Sequence, residues 1–150
     1  MTTAAARTIH LNGPRGQREE KVAASGTSIK PGMLVRKTSA DEFNVHNVSG
    51  GVGPTLLVHE DEFQGDATSG STGVGNTYSV GAPVFAEYCL PGALKYVLLK
   101  ASENVAIGDY LISDGTGLFI KTTGTPAKTF FQAEEASNVA SNQLIKARVV

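Results

Sequence analysis

The sequence predicts a mostly β domain, small and barrel-like, with short strands, long loops and an extended N-terminal arm. Three observations carry that expectation. Turn signals recur at short intervals, at Pro31-Gly32, Pro91-Gly92, Gly108-Asp109 and Asp114-Gly115-Thr116-Gly117. The runs between them are short, apolar and rich in β-branched and aromatic residues. No segment sustains a helical apolar period for three turns.

Met1 to Ala6 is small and polar, the composition of a terminus that frays unless a partner holds it. Thr8-Ile-His-Leu11 alternates like a strand, with Ile9 and Leu11 on one side and His10 on the other, and is cut off by Asn12-Gly-Pro-Arg-Gly16. Residues 1–25 are therefore expected to be an arm and linker, and 26–150 a β-rich body.

Ser28-Ile-Lys-Pro-Gly-Met-Leu-Val-Arg36 is a turn leading into a strand, and Asn104-Val-Ala-Ile-Gly-Asp-Tyr-Leu-Ile112 has the same form. Each places an apolar residue three before a glycine and apolar residues two and three after it. Residues 49–81 hold eight of the seventeen glycines and form a loop region, in which Thr55–His59 is one short strand candidate and Glu60–Asp66 an acidic loop. Strands resume at Val80–Tyr88, with Pro83 marking a strand start or edge, and at Leu94–Lys100. Tyr110–Ile112 and Leu118–Lys121 flank the tight turn at Asp114–Gly117. Residues 129–136 read as a strand pairing with 143–150, with a short helix as the minority option.

A chain of 150 residues is long enough to bury one core without staples, and its single cysteine, Cys89, lies in the apolar run Val84–Leu90, where a buried inert thiol is expected. The start has no charged n-region followed by an apolar stretch, and no run approaches the roughly 20 residues of a membrane span, so synthesis in a cytoplasm and no membrane partner are expected. The net charge of −1 conceals an asymmetry. Residues 1–37 carry seven bases against two acids, whereas 38–94 carry seven acids and no lysine or arginine. A basic front facing an acidic middle can pair between copies, steer the front onto an acidic partner, or merely solvate two surfaces.

Chemistry is harder to find. His10, His46 and His59 are far apart in sequence and lack zinc-site spacing. His59-Glu-Asp-Glu62 with Asp66 lacks the alternation of a calcium loop. Gly51-Val-Gly53 and Gly73-Val-Gly75 do not continue into a phosphate-binding motif. The bases of the first third are not interleaved with aromatics, and the pI of about 6.3 argues against a nucleic-acid partner. No catalytic residue, cofactor or metal is expected, and the chain reads as a non-enzyme.

Gly81-Ala-Pro-Val84, Leu94–Lys100, Val105–Leu111 and Phe131–Ala136 followed by Leu144–Val150 resemble the β-tulip class of bacteriophage capsid decoration proteins, also called cement or head-stabilising proteins. The resemblance implies a β-rich body, a homotrimer, seated on the outer capsid surface of the virion, with an N-terminal arm touching the major capsid protein. On that reading Arg7, Thr8, Ile9, His10, Leu11 and Arg15 form the capsid-binding arm. Glu60, Asp61, Glu62 and Phe63 are the contact loop for the shell or a second copy. An arm that adds a strand to a neighbour's sheet, and so binds the assembled shell better than its parts, stabilises it by mass action. The alternatives are a carbohydrate- or receptor-binding β module on a virion surface, poorly supplied with stacking rings by four tyrosines and no tryptophan, and a hydrolase built on Cys89.

Overall fold

The structure, a computed structural model, describes residues 8–50, 56–60, 77–78, 81–122 and 131–150, and every regular element among them is a β-strand. In chain order these are β1 (His10–Asn12), β2 (Arg18–Val22), β3 (Leu34–Lys37), β4 (Phe43–Val45), β5 (Leu56–Val58) and β6 (Pro83–Tyr88), then β7 (Leu94–Leu99), β8 (Tyr110–Ser113), β9 (Phe119–Lys121), β10 (Phe131–Ala133) and β11 (Gln143–Val149).

Two sheets result. The smaller runs β2-β6-β5-β3-β4. Just past β2, Ala23 bridges Phe43 in parallel and the Ala24 N–H donates to the Phe43 carbonyl at 2.7 Å, which draws the two edges together into a small five-stranded barrel. The larger runs β1-β7-β11-β10-β8-β9, and a parallel contact of Leu99 with Phe119 brings β9 back to the far end of β7. Closure leaves few unpaired strand edges.

Alternation along the strands sorts side chains into two cores. Val35, Leu56, Val58, Val84 and Ala86 join Phe43 in the core of the barrel, while Leu34 and Leu57 point the other way, toward Val97, Phe119, Phe131 and Ile145 of the larger sheet. A strand buried on both faces has no polar side to show, which is why Leu56-Leu57-Val58 is uninterrupted. β11, covered on one face, alternates instead: Ile145, Ala147 and Val149 are buried and Lys146 is exposed. Phe119 and Phe131 meet edge to face, centroids 4.9 Å apart and planes at 79°, an arrangement that adds roughly 0.5–1.5 kcal/mol to their burial.

The two similar turn sequences adopt the same turn. Met33 N–H donates to the Lys30 carbonyl at 3.2 Å and Asp109 N–H to the Ala106 carbonyl at 3.1 Å, with Gly32 at φ 90° and Gly108 at φ 95°. Leu90-Pro-Gly-Ala93 repeats the pattern, with Gly92 at φ 91°. The positive φ at the third residue is that of a type II turn, where glycine carries no steric penalty.

One boundary moves. From Thr8 onward the segment expected to be arm and linker belongs to the two sheets: β1 pairs with β7 (His10 opposite Lys95), β2 pairs with β6 along its whole length, and Ile9 is fully buried. The strand also lies further along than Thr8–Leu11. The physical reason is the edge of β7, whose Tyr96 N–H takes the Ile9 carbonyl as its acceptor at 2.8 Å. β10 is a strand, in register with β11 through Phe131–Val149, Gln132–Arg148 and Ala133–Ala147. Residues 1–7, and most of the glycine-rich region between 49 and 81, lie outside the described residues.

Candidate functional site

Three of the residues singled out from the sequence, Thr8, Ile9 and Glu60, meet at one place. Thr8 Oγ1 donates to Glu60 Oε1 at 2.7 Å, and the Ile9 N–H donates to Glu60 Oε2 at 2.8 Å. A single carboxylate from the acidic loop thus holds the start of β1, and charge assistance strengthens both bonds. Arg7 of the expected arm and Asp61, Glu62 and Phe63 of the expected loop lie outside the described residues. Leu11 is half-buried on β1, and Arg15 is exposed in the turn that follows.

That turn is docked tightly. A Cβ on Gly16 would stand 1.5 Å from the Tyr88 carbonyl oxygen, and one on Gly13 would stand 2.7 Å from that of Gly92. The Asn12–Gly16 segment lies directly on the turn between β6 and β7, where only glycine lets two backbones come so close.

Beneath this junction is a polar cluster buried between the sheets. Leu57, His59 and Glu87 share the barrel face turned toward the larger sheet, and Lys95 faces them from β7. The Lys95 ammonium contacts Glu87 Oε2, and both residues are 0 % exposed. His59, 2 % exposed, places Nε2 3.9 Å from Glu87 Oε1, and neither of those atoms has a hydrogen-bond partner among the described residues. The His59 carbonyl, in contrast, accepts the Tyr78 hydroxyl at 2.5 Å.

Electrostatics follow from burial. His59 is pushed down to about 3, first by desolvation and then by Lys95 and Arg18, so its ring is neutral near pH 7. Desolvation, aided by Lys95 and Arg15, also lowers His10. Burial raises the Cys89 thiol to about 12, only partly offset by Lys95, so it stays protonated at neutral pH and is a poor nucleophile. Among the described residues, no three His, Cys, Asp or Glu side chains gather as a ligand set.

Part of the charge asymmetry is resolved within the chain. Lys21 of the basic front pairs with Asp41 of the acidic middle, and Lys37 pairs with Glu19 at 2.6 Å. Both pairs link β2 to the β3–β4 side of the barrel and reinforce its closure. Arg18 stacks over Phe85, 5.6 Å from the ring centroid. Arg15, exposed, is left outward-facing.

Glu87 and Lys95 are not among the residues singled out from the sequence, although a signal is present there. Lys95 is in phase with Val97 and Leu99, and Glu87 interrupts an apolar run, so each is a charge on a strand whose other residues are core formers. His10 and His59 are far apart in the sequence, whereas the fold brings both near Lys95.

No family model and no curated protein matches the sequence. Among solved structures, the chain is similar to the N base of the head fiber protein gp8.5 of bacteriophage phi29, with a TM-score of 0.57 and 14 % identity. The match covers 89 % of this chain and 95 % of that one. The two share a fold.

Proposed function

We propose that the chain is a structural protein of a bacteriophage head. The observation that carries this reading is the shared fold: almost the whole of this chain superposes on almost the whole of a phage head-fibre base. The sequence resemblance to capsid decoration proteins leads to the same part of a virion from different evidence. On this reading the protein sits on the outer capsid surface, contacts the major capsid protein, assembles as a trimer and stabilises the shell by binding its assembled form, with no turnover. Residues 1–7, which precede the Glu60 clamp, together with exposed Arg15 would make the shell contact.

Cosedimentation with assembled heads tests the proposal. Saturable binding at a copy number set by the shell's symmetry supports it; absence of binding to heads of the cognate phage rejects it. The likeness to a fibre base favours a second reading, in which the chain is the foot of an appendage rather than a cement plug. Electron microscopy of decorated heads separates the two: flush knobs with a raised shell-melting temperature support cementing, and projecting stalks without that gain support the foot.

A further inference from the structure

We infer that Lys95 and Glu87 condense to an intramolecular isopeptide bond that covalently joins the two sheets. The two side chains are fully buried, come from strands of opposite sheets, and already have Nζ of one against Oε2 of the other. A charged pair held away from water is costly to keep ionised, and passing the ammonium proton to Oε2 leaves a neutral amine beside a carboxylic acid. That is the reactive combination, in contact and shielded from water.

The step balances without a co-reactant. The Nζ lone pair attacks Glu87 Cδ, and the electrons of the C=O bond move onto Oε1. A proton passes from Nζ to the Oε2 hydroxyl, the Cδ–Oε2 bond breaks, and one water leaves as the C=O bond re-forms. The developing negative charge on Oε1 needs a donor. His59 Nε2 is the unpartnered nitrogen 3.9 Å from that unpartnered oxygen, and in its Nε2–H tautomer the neutral ring donates to the oxyanion and then to the amide oxygen. The product replaces two buried charges with one amide and provides partners for both orphaned atoms. The inference stands apart from the proposed function, since it rests on the cluster alone.

Intact mass under denaturing conditions and a tryptic digest test it on the wild-type chain. No lysine or arginine lies between residues 38 and 94, and trypsin does not cut after an acylated lysine. The linked protein is expected to yield a peptide 38–100 lighter by one water, with no cleavage after Lys95. Full mass with cleavage after Lys95, in protein folded and incubated at neutral pH, overturns the inference. Lys95→Arg keeps the cation but cannot form the amide, so it should give full mass and cleavage at position 95. His59→Leu should slow appearance of the linked form, and His59→Gln, which retains an N–H donor, should recover part of the rate. A linked form accumulating equally fast in all three His59 backgrounds would remove His59 from the mechanism.

Discussion

Ser113 Oγ and His46 Nδ1 stand 2.8 Å apart, buried, and join the two sheets at the side away from β1: Ser113 ends β8 of the larger sheet and His46 follows β4 of the smaller. The same oxygen also accepts the Gly115 N–H at 3.1 Å. Ser113→Ala would leave Nδ1 buried and unsatisfied, a loss of about 1–3 kcal/mol. Urea unfolding should show a lower midpoint at unchanged slope.

Glu60 is expected to matter for the fold before it matters for any partner. Glu60→Ala removes the acceptor for Thr8 Oγ1 and for the Ile9 N–H. A cost of about 1.5–3 kcal/mol is expected for a charge-assisted pair of this kind, and hydrogen exchange at the Ile9 amide should accelerate more than at Val97.

Truncation separates attachment from stability. Deleting residues 1–7 removes nothing from the described strands, so the melting temperature should hold while binding to heads falls. Deleting 1–15 also removes β1 and the buried Ile9 side chain, and is expected to destabilise the body by at least the roughly 2–5 kcal/mol of a lost core aliphatic. Equal melting of the two truncations would show that β1 adds nothing to the fold. Reversing Arg7 and Arg15 to Glu should weaken attachment more at low salt than at high salt.

Acid should destabilise the protein through His59. Its folded value of about 3 lies below the unfolded 6.5, so the unfolded chain binds the extra proton first, and stability falls as pH drops from about 6.5 toward 3. The slope approaches about 1.4 kcal/mol per pH unit in that window and vanishes above it. His59→Gln, measured by chemical denaturation at several pH values, should flatten the curve; an unchanged slope would assign the acid sensitivity to other groups. His10 and His46, also lowered by burial, add to the same trend.

Gly16→Ala should be worse than Gly26→Ala. The first drives a Cβ into the Tyr88 carbonyl, whereas the second has open space and meets only the penalty of φ +81°, about 1–2 kcal/mol. Thermal melts of the two variants give the ordering directly.

Much of the strand content is legible in the sequence, but β2 (Arg18–Val22) reads there as linker and β4 (Phe43–Val45) does not read as a strand. Turn residues with positive φ and alternation of apolar side chains are local properties, so the likeness of the Gly32 and Gly108 turns is legible without tertiary information, while the structure adds Pro91-Gly92 as a third copy. The sequence marks Thr55–His59 only as a short strand candidate; that β5 is buried on both faces comes from the packing of the two sheets. That Thr8–Val22 belongs to the sheets is settled only by the fold, because β1 takes an edge of β7 and β2 an edge of β6, both more than sixty residues away in the chain. The fold alone decided that Glu60 meets Thr8, and that Glu87, Lys95 and His59 meet one another. Strand neighbours in a closed sheet are set by which edges remain unpaired once all strands are placed, and burial of a charge is set by which two faces come together. Neither quantity is written in any single window of residues.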